Sequence, residues 1–359
     1  MTEKLSQFHA AVLIFMIQSG VVVLSLPNLE ARYFGTNGWL FLIVCFLAVS
    51  VNICLISIVF RLAKGRSVFA ILEQSVPKFI LYPLYFVVSM LWGILGSIIA
   101  KEYVLIFQMV AFPTIDPMLF LLALLFLAFL LVTKGINSIS KSATVFFWLY
   151  IWMLLLLFYF FSDFEWGRLT PFVFKGGHDQ WRGGLDIFSA FLGYELCLLL
   201  FPFADKNTKL MKATFVGSIL LIVTYLAVSV VSFGFFSLGQ LKILTFPVIE
   251  LLAYIKFPFV ERVENLLYGF FLFSSLITST MYIWAAKETS QRIWKRADTS
   301  LLTFFIILIT YGFTFIPRVL NEVWEWLEYV TRIQTGLVFG LPLILIFLLQ
   351  FQRGREGIE

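Results

Sequence analysis

The stretch Phe191-Leu-Gly-Tyr-Glu-Leu-Cys-Leu-Leu-Leu-Phe-Pro202 is apolar and long enough to enter a bilayer, yet it holds a glycine, a tyrosine and a carboxylate and ends in proline. Gly193 weakens a helix there, having no side chain to pack and more backbone freedom to lose. Glu195 is costly in hydrocarbon unless it faces a protein interior, a partner or water. It reads either as a proton or water gate inside the protein, or as an interfacial acid beside a glycine that serves close packing. A second charged spot, Lys101-Glu102, interrupts the run that starts at Leu81. It lies about 30 Å along a helix rising 1.5 Å per residue, and so in one outer half of a bilayer. Neighbouring side chains point about 100° apart on a helix, so only one of the two can face a cavity squarely. Glu102 shares a face with Ile98 and Leu95, and Lys101 shares one with Ser97. An interfacial ion pair and a cavity lining are both open readings. Further on, Ser274, Thr278 and Tyr282 recur every four residues as one hydroxyl stripe, flanked by Ser275 and Ser279. Such stripes serve helix packing. They serve a ligand only if the fold sets that helix beside the segments just described.

Other chemistry is poorly represented. His9 and His178 are the only histidines and lie far apart, which gives no metal cluster and no histidine-based catalytic group. Cys45, Cys54 and Cys197 sit in apolar runs without Cys-x-x-Cys spacing, and structural burial is expected for them. No Walker loop or Gly-x-Gly-x-x-Gly occurs, so no cofactor is expected, and the scattered acids do not read as an enzyme's.

The elements that carry these residues are membrane helices. Of 359 residues 61% are hydrophobic and 13% charged, 43 are phenylalanine, and the mean hydropathy is +0.96. A soluble domain of this size needs far more polar surface. The net charge of +5 is then a matter of topology, with no nucleic-acid partner implied. Ten apolar segments of spanning length recur: Ala10–Leu26, Trp39–Phe60, Leu81–Val110, Met118–Val132, Ala143–Phe161, Leu185–Phe203, Ala213–Phe236, Leu266–Ala286, Leu301–Ile316 and Gly336–Phe351. The first lacks a small-residue cleavage site and is too long for a cleaved signal peptide. Alternate loops carry 16 and 9 lysines and arginines, which puts both termini in the cytoplasm. On the other side, Gly167–Gly184 reads as a loop punctuated by Gly176-Gly177 and Gly183-Gly184. Phe246–Ile255 reads as a short helix along the outer surface. Trp324, Trp326 and Tyr329 read as interfacial anchors in the last outer loop.

Ten spans divide as five and five. The first member of each half is interrupted alike: Gln18-Ser-Gly-Val-Val-Val-Leu-Ser-Leu-Pro27 and Gly193-Tyr-Glu-Leu-Cys-Leu-Leu-Leu-Phe-Pro202. Because five is odd, the halves enter the membrane from opposite sides, an inverted repeat. The expectation is an all-α membrane protein, one domain over 1–359 with repeats of about 1–162 and 183–353. Its two broken helices would expose backbone groups at mid-membrane to hold a small zwitterion or ion. Glycine and proline are also simply common in membrane helices.

In the order and spacing of its landmarks the chain resembles the B subunit of the nutrient germinant receptors of endospore-forming bacteria. The residues that carry the resemblance are Ser19-Gly20 running to Leu26-Pro27, Lys101-Glu102, Phe191-Leu-Gly-Tyr-Glu195 running to Phe201-Pro-Phe203, Pro247 to Glu250, and Glu261-Arg262. The resemblance implies a member of the amino acid–polyamine–organocation superfamily with a LeuT-like core. It implies residence in the inner spore membrane, and action with an A subunit and a C-subunit lipoprotein. It also implies a pocket for a small-molecule germinant, an amino acid being the expected class, between the first, third, sixth and eighth helices. Carried over, the pocket residues are Ser19, Gly20, Ile98, Gly193, Tyr194, Thr278 and Tyr282, with Glu102 and Glu195 gating water or protons. A germinant sensor and a proton-coupled amino acid permease are the two functions to be separated.

Overall fold

The computed structural model describes residues 4–204, 208–256 and 263–356, which contain Lys101 and Glu195 but not Lys206 or Glu261-Arg262. Among the described residues all regular structure is helical, apart from one antiparallel bridge between Gly35 and Gly176. The first span is α1 (Gln7–Gln18), a 3₁₀ turn Val21–Leu24 and α2 (Leu26–Tyr33). There follow α3 (Phe41–Ala63), the short α4 (Val68–Ser75), α5 (Lys78–Val110), α6 (Pro117–Lys134) and α7 (Ile136–Ile151), which a 3₁₀ stretch continues to Asp163. The sixth span is α8 (Gln180–Ser189) and a 3₁₀ segment Tyr194–Phe203. Then come α9 (Leu210–Phe235), the short α10 (Leu238–Ile243) and α11 (Pro247–Tyr254), α12 (Val263–Ile293), α13 (Thr299–Phe313) and α14 (Leu320–Glu356). Among the described residues eight helices are long and apolar enough to cross a membrane, and α1 and α13 are shorter apolar helices. The architecture is the 5+5 inverted repeat with its first and sixth members broken.

Each break has a local cause. α1 stops at Ser19, whose amide still reaches the Phe15 carbonyl, and Gly20 is extended. Pro27 then sits in the first turn of α2, where a missing N–H costs nothing. In the sixth span Gly193 has φ +119°, a left-handed value that only glycine adopts freely. A broken helix leaves backbone groups unpaired, which lipid cannot satisfy. Two side chains solve this for both breaks together. Gln18 Nε2 donates to the Phe191 carbonyl at 2.7 Å, and Tyr225 Oη on α9 lies 3.1 Å from the carbonyls of both Gln18 and Ala190. Ser218 holds the other end of the Gln18 amide at 3.1 Å.

Several expectations are corrected by the packing. Lys101 and Glu102 do not pair with each other. Lys101, on the Ser97 face, is buried and donates to the carbonyls of Thr314 and Pro317 at the end of α13. Ser97 reaches Thr310 of the same helix at 2.9 Å. A cation at a helix C-terminus matches the orphan carbonyls and the dipole. Lys101→Met is therefore expected to destabilise the protein by about 1–3 kcal/mol, the cost of stranding buried acceptors. A thermal midpoint in detergent equal to wild type would contradict this cap. Gly183-Gly184 belong to α8, not to a loop; a Cβ on Gly183 would stand 2.2 Å from Tyr33 Cγ, so the glycine admits that ring. The helix at 247–254 lies along the surface with one face only: Glu250, Ala253 and Tyr254 are exposed, while Val248, Leu251 and Leu252 are buried, and the helix packs on α9 and α12. Trp324 and its neighbours lie inside α14, which starts well before its apolar stretch. Cys54 is exposed on α3 rather than buried, because a helix in lipid is apolar on both faces and its sequence does not mark the inner one.

Candidate functional site

Between the two breaks lies a cavity of about 530 Å³ that α5, α12 and α14 complete. Its mouth, at Arg32, Tyr33, Arg182, Lys242 and Glu328, is on the face away from the chain termini, called outer below. An Arg182–Glu328 ion pair at 2.8 Å links α8 to α14 at this mouth. Deeper, the wall is Gly20, Val21, Leu95, Ile99, Glu102, Thr278 and Tyr282. Gly20 opens this space, since a Cβ there would meet nothing within 4 Å. Gly20 of the first break and the Glu102 carboxylate thus line the same cavity.

The polar wall has a consistent sense. Thr278 Oγ1 donates to the Ile17 carbonyl at 2.9 Å, Ser189 to the Asp186 carbonyl at 2.6 Å and Thr331 to the Leu327 carbonyl at 2.6 Å. Tyr282 Oη donates away from the cavity to Glu195 Oε1 at 3.0 Å. Each hydroxyl has committed its one proton to the protein and keeps lone pairs for the cavity. Glu102 adds a carboxylate whose Oε1 accepts from Trp324 Nε1 at 3.0 Å. At depth these acceptors and the Glu102 carboxylate suit a ligand that brings hydrogen-bond donors and positive charge, while Arg32, Arg182, Lys242, Asp186, Glu325 and Glu328 add charge of both signs to the lining. At the opposite face the way is latched. Lys4 Nζ donates to the Pro202 carbonyl at 2.6 Å, Leu5 N to the Phe203 carbonyl at 3.1 Å, and Thr208 Oγ1 to the Leu5 carbonyl at 2.6 Å.

Of the nine residues named from sequence, Gly20, Glu102, Thr278 and Tyr282 come together on the cavity wall. Ser19 stands behind it, 2.9 Å from Ser274 Oγ across to α12. Ile98 is buried behind the wall, which Leu95 and Ile99 form in its place. Gly193 packs on α1, where a Cβ would come within 2.7 Å of Ile17 Cγ2. Tyr194 is fully buried, and its hydroxyl has no partner among the described residues. Glu195 lies one layer behind Tyr282. Gly193 N, Tyr282 Oη and Gln334 Nε2 donate to its two oxygens at 2.7, 3.0 and 2.8 Å. The sequence marks Trp324 only as an interfacial anchor and Gln18 only as the edge of the first break, and it does not point to Gln334, Trp92 or Tyr225. A signal existed for Gln18 and Gln334, each a polar side chain next to or inside a spanning segment. Among the described residues no group of three or more His, Cys, Asp or Glu side chains could hold a metal ion.

Comparison with known proteins agrees with the architecture. The chain superposes on a Na⁺-coupled sialic acid symporter in a substrate-bound outward-open state, with a TM-score of 0.66, 13% identity, and coverage of 96% of this chain and 79% of that one. It also superposes on Mhp1, a nucleobase-cation-symport-1 family transporter in a closed conformation with bromovinylhydantoin bound, with a TM-score of 0.62, 12% identity, and coverage of 94% and 78%. At such identities the likeness is one of fold, that of LeuT-type transporters rather than of enzymes. Two relatives are similar in sequence. Spore germination protein GerQB of Bacillus cereus is 24% identical over 289 residues, 79% of either chain. Spore germination protein B2 of Bacillus subtilis (strain 168) is 22% identical over 362 residues, 97% of this chain and 94% of that one. The family model for spore germination proteins of the permease type matches residues 4–323, and the chain belongs to that family.

Proposed function

We propose that the chain is the nutrient-sensing membrane subunit of a spore germination receptor. A small donor-bearing molecule, of which an amino acid is the simplest, occupies the cavity and biases the two broken helices between arrangements that partner subunits read. Those partners are an A subunit and a C-subunit lipoprotein, and the location is the inner spore membrane with both termini cytoplasmic. The family supports the germination context, and the excess of basic residues on the termini side supports the orientation. The observation that carries the reading is the cavity wall: acceptors and Glu102 face the space beside the first break, while the opposite face is latched. A ligand shifts such a balance only by its differential affinity for the two arrangements.

The test is a thermal-shift screen of the twenty proteinogenic L-amino acids on purified protein. A true ligand at a hundred times its Kd adds about 2.7 kcal/mol to stability. A panel without any stabilising member would refute the amino acid assignment. The permease reading draws on the same carboxylate, since Glu102 open to the cavity could also carry a proton with substrate. Proton-driven uptake of the stabilising amino acid into liposomes would establish that reading over pure sensing.

A further inference from the structure

One layer behind the wall, four buried side chains from four different spans meet in a single hydrogen-bonded series. Tyr282 on α12 donates to Glu195 Oε1 at 3.0 Å, and Gln334 on α14 donates to the same oxygen at 2.8 Å. Trp92 on α5 donates to Gln334 Oε1 at 3.0 Å. The series has a direction. An indole N–H can only donate, so the Gln334 carbonyl oxygen must turn toward Trp92 and its amide nitrogen toward Glu195. Glu195 then accepts from Gly193 N and Gln334 Nε2 and, as a carboxylate, from Tyr282 Oη as well. Trp92 thus fixes which end of Gln334 meets the carboxylate that takes the Tyr282 proton. Thr331, one turn from Gln334 on α14, lines the cavity, so the same helix touches both layers.

We propose that Gln334 is a positioning residue. Oriented by Trp92, it sets Glu195 and through it the Tyr282 hydroxyl, and it carries a change at Tyr282 from the cavity wall to α5 and α14. The inference deepens the reading of the cavity as a ligand site and rests on it for its purpose. Its test needs no ligand. A merely space-filling Gln334 would support the same packing and transmit nothing.

The experiment uses the full chain in detergent with 5-fluorotryptophan incorporated, the Trp92 resonance being assigned by its loss in Trp92→Phe. Tyr282→Phe removes the donor to Glu195 and is expected to move the Trp92 fluorine resonance by more than its linewidth. With Gln334→Leu in place, the same Tyr282→Phe change is expected to leave that resonance where Gln334→Leu alone puts it. Gln334→Met, closer in length and flexibility, serves if the leucine variant does not fold. The proposal is overturned if Tyr282→Phe leaves Trp92 unmoved, or moves it equally with and without Gln334. Should no amino acid stabilise the protein while this coupling persists, the amino acid reading fails and the positioning role stands.

Discussion

Gly193→Ala is expected to cost the purified protein much of its thermal stability, whereas the same change at Gly20, in the matching break, is expected to leave it near wild type. At 193 the backbone is held at φ +119°, and strain of this kind in a residue with a Cβ costs about 1–3 kcal/mol. The new methyl would also stand 2.7 Å from Ile17 Cγ2 and 3.3 Å from the Ile17 carbonyl. Overpacking of that sort adds about 1–3 kcal/mol. Against a total stability of about 5–15 kcal/mol the combined loss is severe. At Gly20 the backbone is extended and the methyl meets nothing within 4 Å, so it enters the cavity instead. Its effect belongs to ligand affinity, not to folding. Equal midpoints for the two variants in one detergent melt would show that the two breaks are not built as described.

Glu102→Gln is expected to weaken binding of a stabilising amino acid by about 10–150-fold, the roughly 1.5–3 kcal/mol of a charge-assisted hydrogen bond. The amide keeps an oxygen for Trp324 and can no longer ionise. Trp324→Phe does the reverse, keeping the carboxyl group and removing one donor, and is expected to cost only about 0.5–1.5 kcal/mol. Ligand-dependent melting curves measure both. Unchanged affinity in the glutamine variant, with folding intact, would remove Glu102 from the binding site.

What the sequence reveals of this molecule follows from where lipid, water and protein compete. Hydropathy locates the spans because lipid imposes one rule on all of them. The breaks are legible because glycine, proline and a lone polar residue in an apolar run each carry a backbone reason. Outer α14 is not legible in that way. Asn321-Glu-Val-Trp-Glu-Trp-Leu-Glu328 reads as a wet loop because it faces a wet cavity, so a hydropathy window starts this helix at Gly336, well after Leu320. Trp324 reads as an interfacial anchor for the same reason. The partners of Lys101 and Glu102 are not legible either, since periodicity separates their faces without saying which helices lie opposite. Glu195 and Tyr194 show a further limit. Both are intramembrane polar groups near a break, and only packing reveals that they stand behind the wall while Tyr282 forms it.

The open mouth and latched far side bear on timing. A cavity that a solute reaches without any helix moving first fills at a rate proportional to solute concentration, with no preceding lag. Whatever delay follows addition of a ligand must then arise after occupancy, in the release of Lys4 and Leu5 from the end of the sixth span or in events beyond this chain. Raising the concentration would shorten the filling step and leave such a delay untouched.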